Sequence, residues 1–228
     1  MTNSKYVDII YNTRDRPFND YPDKLINHLI SIYELKKNSK LLEIGCGRGD
    51  FLKAFVESGM KCHGVDISDS AKEICPEANI ETINLLNDKL PYPDNCFDIV
   101  YSKSVVEHFY YPEKIFEEAY RVLKPSGILI TLTPEWEYIY KSFYEDFSHR
   151  TPFTKDSLRD IQKLTNFKDI KVGSFKQLPI LWEKNKLKLN FFRILSFLTR
   201  VIVPDFFQKK TKWIRFSKEI MLISSSYK

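Results

Sequence analysis

Hydrophobic positions in this chain fall into two alternating patterns, short continuous runs and stripes at helical spacing. After Asp20 and Pro22, which mark a helix start, Leu25, Ile26, Leu29, Ile30, Tyr33 and Leu35 share one helical face. Leu41, Leu42 and Ile44 form an apolar run of strand length around the acid Glu43, and beyond a glycine-rich turn Phe51, Leu52, Phe55 and Val56 resume helical spacing. Residues 61–65 read as a second strand ending in Asp66, 70–75 as a helix, 80–83 as a third strand and 97–101 as a fourth. A helix over 112–123, stopped by Pro125 and Gly127, precedes a fifth strand over 128–134. A helix over 155–164, a sixth strand over 167–175 and an alternating final strand over 218–225 complete the series. Strands and helices in alternation predict an α/β fold. Largely apolar runs in strands one, four and five predict a sheet covered on both faces.

Two segments stand outside this series. Residues 1–20 are polar and aromatic with no period. The stretch 187–203 is apolar but interrupted by Arg193 and Arg200, and Lys184, Lys186, Lys188, Lys209, Lys210, Lys212 and Arg215 flank it. It is too short and too charged for a membrane span. Two readings stay open: a lid or homodimer surface buried by protein, or an interfacial amphipathic helix whose basic flanks suit anionic headgroups.

Composition narrows the class. With 228 residues, 43% of them hydrophobic, the chain suffices for one well-buried α/β domain and an appendage. The division expected within a single domain 1–228 is an arm and helix at 1–37, a core at 38–135, and insertions at 135–155 and 180–217. A net charge of +5 permits an anionic partner but lacks the concentrated basic stripe of a nucleic-acid binder. Cys46, Cys62, Cys75 and Cys96 form neither metal-type pairs nor a disulfide framework. With no apolar run behind residues 1–5, the expectation is a cytoplasmic protein with reduced thiols.

The chemical signal begins at Glu43-x-Gly45-x-Gly47-x-Gly49. A strand, a Gly-rich turn and a helix present backbone N–H groups to a ligand at the strand's carboxyl end. Glycine there admits the ligand to the main chain and tolerates positive φ. A dinucleotide fingerprint, G-x-G-x-x-G, would place its third glycine one residue later and end its strand on apolar side chains. The acid with three alternating glycines instead resembles motif I of the class I S-adenosylmethionine (SAM)-dependent methyltransferases. Residues 84–100, with Leu90-Pro91-Tyr92-Pro93, Asp94-Asn95 and Phe97-Asp98, resemble a second family stretch, and residues 121–134 a third. The resemblance spans about residues 38–135 and extends more weakly to Phe175.

What the resemblance implies is specific. The fold would be a Rossmann-like seven-stranded, mostly parallel sheet in the order 3-2-1-4-5-7-6, its last strand antiparallel, flanked by helices and carrying a C-terminal helical insertion. SAM would be the cofactor and S-adenosylhomocysteine the product, with no metal. Gly45, Cys46 and Gly47 would wrap the methionine half, with Glu43 near its amino group and Ser102 beside it. Asp66, about twenty residues after the loop, would accept both ribose hydroxyls; the alternative is a helix cap shared with Ser68, Asp69 and Ser70. Ile67 would lie against the adenine. Asn84 stands where the family usually has Asp for the adenine amino group, and the backbone of Leu85 could supply that contact. In the N-terminal arm, Tyr11 or Arg14 could reach the SAM carboxylate.

The acceptor side is more variable. Trp136, Tyr138, Tyr140, Phe143 and Tyr144 crowd together after strand five, where substrate enters an α/β sheet. His149 is the best base candidate, the alternative being a loop clasp. The pair Glu107-His108 resembles a recurrent family sequence beside the transferred methyl; its alternative is structural support for the following helix. The run His149-x-x-Pro152-Phe153-Thr154 resembles small-molecule and glycan methyltransferases, which implies O-methylation of a small hydroxylated acceptor such as a sugar or glycan precursor. A lipid-linked or quinone-type acceptor at the inner membrane face, contacted through 187–215, and a catalytically silent partner subunit are the alternatives.

Overall fold

The computed structural model describes Ile9, Arg14 and residues 17–182, 186–208 and 210–228. Tyr11, Lys184 and Lys209 lie outside them. In chain order the elements are α1 (Tyr21–Tyr33), β1 (Lys40–Ile44), α2 (Asp50–Glu57), β2 (Lys61–Asp66), α3 (Ala71–Ile74), β3 (Asn79–Thr82) and β4 (Phe97–Lys103). There follow α4 (Glu113–Val122), β5 (Leu123–Pro134), α5 (Trp136–Ile139), α6 (Lys155–Leu164), β6 (Lys168–Phe175), α7 (Lys186–Ile202), α8 (Lys212–Lys218) and β7 (Met221–Tyr227). The sheet order is β3-β2-β1-β4-β5-β7-β6, with β7 antiparallel to both neighbours, as expected.

The pleat explains why consecutive apolar residues are all buried. Side chains alternate between sheet faces, so a strand covered on both sides is apolar at every position. Leu41, Ile99, Tyr101, Ile130 and Leu132 join one core, under Leu25, Ile26 and Leu29 of α1 and Leu52 and Phe55 of α2. Their chain neighbours Leu42, Val100 and Leu129 join the other core, under Phe116 and Val122 of α4 and Leu158 of α6. Helix α6 is started by a capping box: Thr154 Oγ1 accepts from Ser157 N–H at 3.2 Å and Ser157 Oγ accepts from Thr154 N–H at 2.9 Å.

Several boundaries differ from expectation, among them three of note. The final strand begins at Met221 rather than 218, because Thr211 caps α8 by accepting from Ile214 N–H at 3.2 Å and helix runs to Lys218. The expected turn at Pro125 and Gly127 is a wide bulge inside β5: Leu123 faces Phe97, and Ile128 faces Ile99. Ser126 there takes φ +64°, the left-handed conformation that favours glycine. Strand β3 lies one residue earlier than read, at Asn79–Thr82.

Candidate active site

Strand β1 is the switch point of the sheet, since the chain runs from it outward to β2 and β3 and then returns to β4 on its other side. Ligands of open α/β sheets lie at the carboxyl ends of strands flanking such a point. A pocket lies there, lined by Glu43, Gly45, Cys46, Gly47, Arg48, Asp50 and Phe51 from β1 and its turn, Asp66 and Ile67 from β2, Ile83, Asn84 and Leu85 after β3, and Lys103, Ser104, Val105 and Phe109 after β4.

The turn is held open by backbone geometry. Gly45, Gly47 and Gly49 have φ of +72°, +53° and +91°. A Cβ on Gly45 would lie 2.3 Å from Val105 Cγ2, whereas one on Gly47 would stand in open space within the pocket's lining. Gly45 and Cys46 N–H both donate to Val65 O, at 2.8 and 3.1 Å, which ties the turn to β2. Asp66 tightens the same tie: its Oδ2 accepts from Gly47 N–H at 2.8 Å and its Oδ1 from Ser68 N–H at 3.0 Å. The acid therefore serves its own turn whether or not it serves a ligand. Burial raises its pKa, against the pull of these N–H donors.

Glu43 is the unusual group. It is 2% exposed, it lines the pocket, and its Oε2 has no hydrogen-bond partner among the described residues. Burial first, then the charges of Asp66 and Asp50, push its pKa well above the usual carboxylate range, while Lys103 opposes them. Burial in turn pushes the Lys103 ammonium down to about 8. Lys103, Arg48 and Phe51 are lining residues that sequence reasoning passed over; the signal was their place at the end of β4 and behind the glycine turn. Ser102 is buried and absent from the lining, which Lys103 and Ser104 provide instead. Asn84 is in the lining, but its Oδ1 already accepts from Leu86 N–H at 3.1 Å. Arg14 is exposed.

The three catalytic candidates come together from distant parts of the chain. Glu107, His108 and His149 each offer a ligand-type atom within 4.8 Å of the others, and the two imidazole rings stand 4.8 Å apart. None of the three lines the pocket; Phe109, the neighbour of His108, does. Glu107 O accepts from Arg150 and Thr151 N–H, at 2.8 and 3.0 Å, and Thr151 Oγ1 donates to Phe109 O at 2.7 Å. The His149 loop is thus stitched to the wall of the pocket. Glu107 Oε2 accepts from Thr133 at 3.0 Å, and burial pushes its pKa up to about 7. His108 is buried, and desolvation followed by the charge of His149 pushes it down to about 4.

Hydrogen bonds settle both tautomers. His149 Nδ1 is 2.6 Å from Phe143 O, a pure acceptor, so in the neutral ring the proton sits on Nδ1 and Nε2 carries the lone pair. Ser148 Oγ donates its single proton to Asp146 Oδ1 at 2.5 Å and must accept from His108 Nδ1 at 2.9 Å. His108 is therefore also protonated on Nδ1. His149 is the more accessible ring, its side chain 13% exposed, and burial lowers its pKa. The aromatic insertion forms its bed: Phe143 packs at 4.4 Å from the His149 ring, 5.0 Å from Tyr144 and 5.5 Å from Trp136. One hub here was not anticipated. Glu135 is fully buried and bonds Ser174 at 3.0 Å and Lys155 at 3.1 Å, joining β5, β6 and α6 beneath the insertion.

Comparison with known proteins gives a consistent picture. A family model described as a methyltransferase domain matches residues 42–131. The phosphoethanolamine N-methyltransferase of Plasmodium falciparum is 31% identical over 207 residues, 81% of this chain and 76% of that protein. The crystal structure of a SAM-dependent methyltransferase from Archaeoglobus fulgidus superposes with a TM-score of 0.66 at 21% identity, covering 96% of this chain and 99% of the other. A putative methyltransferase solved in complex with the Haloferax volcanii Trm112 activator superposes at 0.71 with 14% identity, covering 100% and 99%.

Proposed function

The chain belongs to the class I SAM-dependent methyltransferases, and we propose that it methylates a hydroxyl of a small acceptor, a sugar or glycan precursor, with His149 as general base. The pocket residues fit SAM on two observations. The buried, unpartnered Oε2 of Glu43 suits an ammonium group, and the open space at Gly47 suits a ligand lying along the turn. In this reading Glu43 takes the amino group, and the backbone of Gly45, Cys46 and Gly47 follows the methionine half. Asp66 takes the ribose: a carboxylate offers about four lone-pair sites, so two remain beyond its bonds to Gly47 and Ser68. Ile67 and Leu85 flank the adenine; the Asn84 side-chain carbonyl and backbone already bond Leu86, Asn87 and Asp88, so the backbone of Leu85 supplies the contact to the adenine amino group.

Bound there, SAM supplies an electrophilic sulfonium methyl carbon. The protein's own work is alignment and removal of the acceptor's proton. The observation that carries the base assignment is the tautomer of His149: Nδ1–H is spent on Phe143 O, and the lowered pKa keeps Nε2 unprotonated near neutral pH. Glu107 and His108 fit a supporting role, clasping the 146–151 loop against Phe109. Displacement at a sulfonium carbon needs no Lewis acid, so the reaction is metal-independent in this proposal, although Glu107, His108 and His149 are metal-ligand types.

The test is incubation of the chain with methyl-labelled SAM and a metabolite extract, followed by mass spectrometry of the labelled product and kinetics of His149→Ala on that product's precursor. An O-methylated sugar and a kcat lowered about 10²- to 10⁴-fold in the variant are expected. An N-methylated product formed equally well by His149→Ala would replace this reading with amine methylation, the chemistry named for the Plasmodium relative.

A further inference from the structure

Helix α7 turns its apolar side away from the protein. Leu187, Phe191, Ile194, Leu198 and Val201 recur every three or four residues, Ile202 follows Leu198 by four, and all six are exposed, from 42% to 86%. At 100° per residue they form one stripe. The opposite side is seated and satisfied: buried Ser196 bonds Ser217 at 3.1 Å, Thr199 accepts from Trp213 Nε1 at 2.9 Å, and Phe192 meets the Trp213 ring at 6.0 Å. The outward stripe is therefore a property of a docked helix. Among the described residues, none from 186 to 218 lines the pocket, so the segment is not a cover for that cavity.

Charge decides what fits the stripe. Residues 186–219 contain nine Lys and Arg but only Asp205 and Glu219 as acids, an excess larger than the net +5 of the whole chain. Asp205 pairs with Lys141 and Lys218, and Glu219 with Arg215, which leaves the surroundings of the stripe basic. Lys188 and Arg193 are exposed beside it, and Lys210 and Lys212 are exposed on the segment that follows. A second copy of the chain would bring two basic faces together. An anionic bilayer reverses that sign and receives the apolar stripe at the same time. The helix has 17 residues, and no helix of the described residues is long and apolar enough to cross a membrane, so it would lie in the interfacial plane.

We propose that α7 docks the protein onto an anionic lipid surface, with the stripe entering the headgroup boundary and the flanking Lys and Arg side chains reaching up to phosphates. The helix that seats α7 also reaches toward the pocket: Phe216 of α8 stacks on Tyr21 at 5.5 Å, and Tyr21 meets Phe51 of the pocket at 6.3 Å. The inference concerns location and does not depend on the acceptor or on the identity of the base.

Co-sedimentation of the full chain with vesicles tests it. Phosphatidylcholine vesicles containing about one third phosphatidylglycerol should carry the protein down, pure phosphatidylcholine about tenfold less, and added salt should release it. Ile194→Gln with Leu198→Gln should lose at least about tenfold in vesicle affinity, while its thermal shift with S-adenosylhomocysteine stays unchanged and so reports an intact fold. Lys210→Glu with Lys212→Glu should lose the preference for anionic lipid. Absence of wild-type binding to the anionic vesicles, or equal binding by the double glutamine variant, would overturn the proposal. So would light scattering that finds a dimer which this variant dissociates, without any vesicle binding.

Discussion

Replacing Gly45 by alanine tests how the glycine turn is built. Two costs arise. At φ +72° a Cβ is strained by about 1–2 kcal/mol. The new methyl would also sit 2.3 Å from Val105 Cγ2, with Cγ1 and Cβ at 3.2 and 3.3 Å, so the valine, 5% exposed, would have to turn or shift within a packed site. Overpacking of this kind adds about 1–3 kcal/mol, which makes Gly45→Ala destabilising by about 2–5 kcal/mol. Val105→Ala alone removes two methyl groups of a residue 5% exposed and should cost about 2 kcal/mol. In the double variant the clash disappears and only the φ strain and the lost burial remain. Urea unfolding of all four proteins, with m-values checked for constancy, yields the coupling energy. The expected coupling is about 1–3 kcal/mol in favour of the double variant. Additivity within about 0.5 kcal/mol would refute the steric argument and leave backbone strain as the sole reason for glycine.

Asp66→Ala should weaken SAM binding about a hundredfold or more, since two charge-assisted bonds at about 1.5–3 kcal/mol each are lost; titration calorimetry showing unchanged affinity in a folded variant would remove the ribose assignment. His108, held near 4 against an ordinary 6.5, binds fewer protons folded than unfolded, so its contribution to stability falls as pH falls below 6.5. Relative to wild type, His108→Gln should therefore gain about 2 kcal/mol between pH 8 and pH 5, measured by urea unfolding at each pH. Glu107, raised to about 7, has the opposite sign: its burial costs stability as pH rises from 4.5 to 7, so Glu107→Gln should gain relative to wild type in that direction. Arg121 bonds Leu90 O and Tyr92 O at 2.9 and 2.8 Å and Glu118 at 2.7 Å, fastening the loop beside the pocket to α4. Arg121→Ala should cost about 2–4 kcal/mol in denaturant titrations, with Arg121→Lys recovering little because an ammonium cannot span that fork. A chelator should leave the methyl-transfer rate unchanged; a loss restored by added metal would make Glu107, His108 and His149 a ligand set.

Much of the frame was legible in the chain itself, because its causes are local. The apolar runs at 41–44 and 97–101, interrupted only by Glu43 and Asp98, demand burial on two faces, and the pleat then divides Leu41 from Leu42 and Val100 from Tyr101. The glycines of the turn answer a backbone requirement, and Asp66 follows at the interval one strand–helix–strand unit imposes. The bulge in β5 was less legible. Pro125 and Gly127 announce a turn, but only pairing with β4 shows that the chain resumes the same strand afterwards.

The site chemistry depended on contacts that no local pattern carries. Glu107 and His108 lie some forty residues from His149, and their meeting is set by the path of the 146–151 loop across the end of β4. The tautomer of each imidazole follows from its neighbour's hydrogen-bonding capacity, Phe143 O for His149 and Ser148 Oγ for His108. The segment 187–203 makes the same point about surfaces. Its sequence determined that a basic, apolar helix would form, yet allowed it to be buried or displayed. Which side faces the protein was decided by Ser217 and Trp213 of α8, whose polar atoms seat Ser196 and Thr199 and thereby rotate the apolar stripe outward. Periodicity fixes which residues share a face; only the docked partner determines which face is hidden.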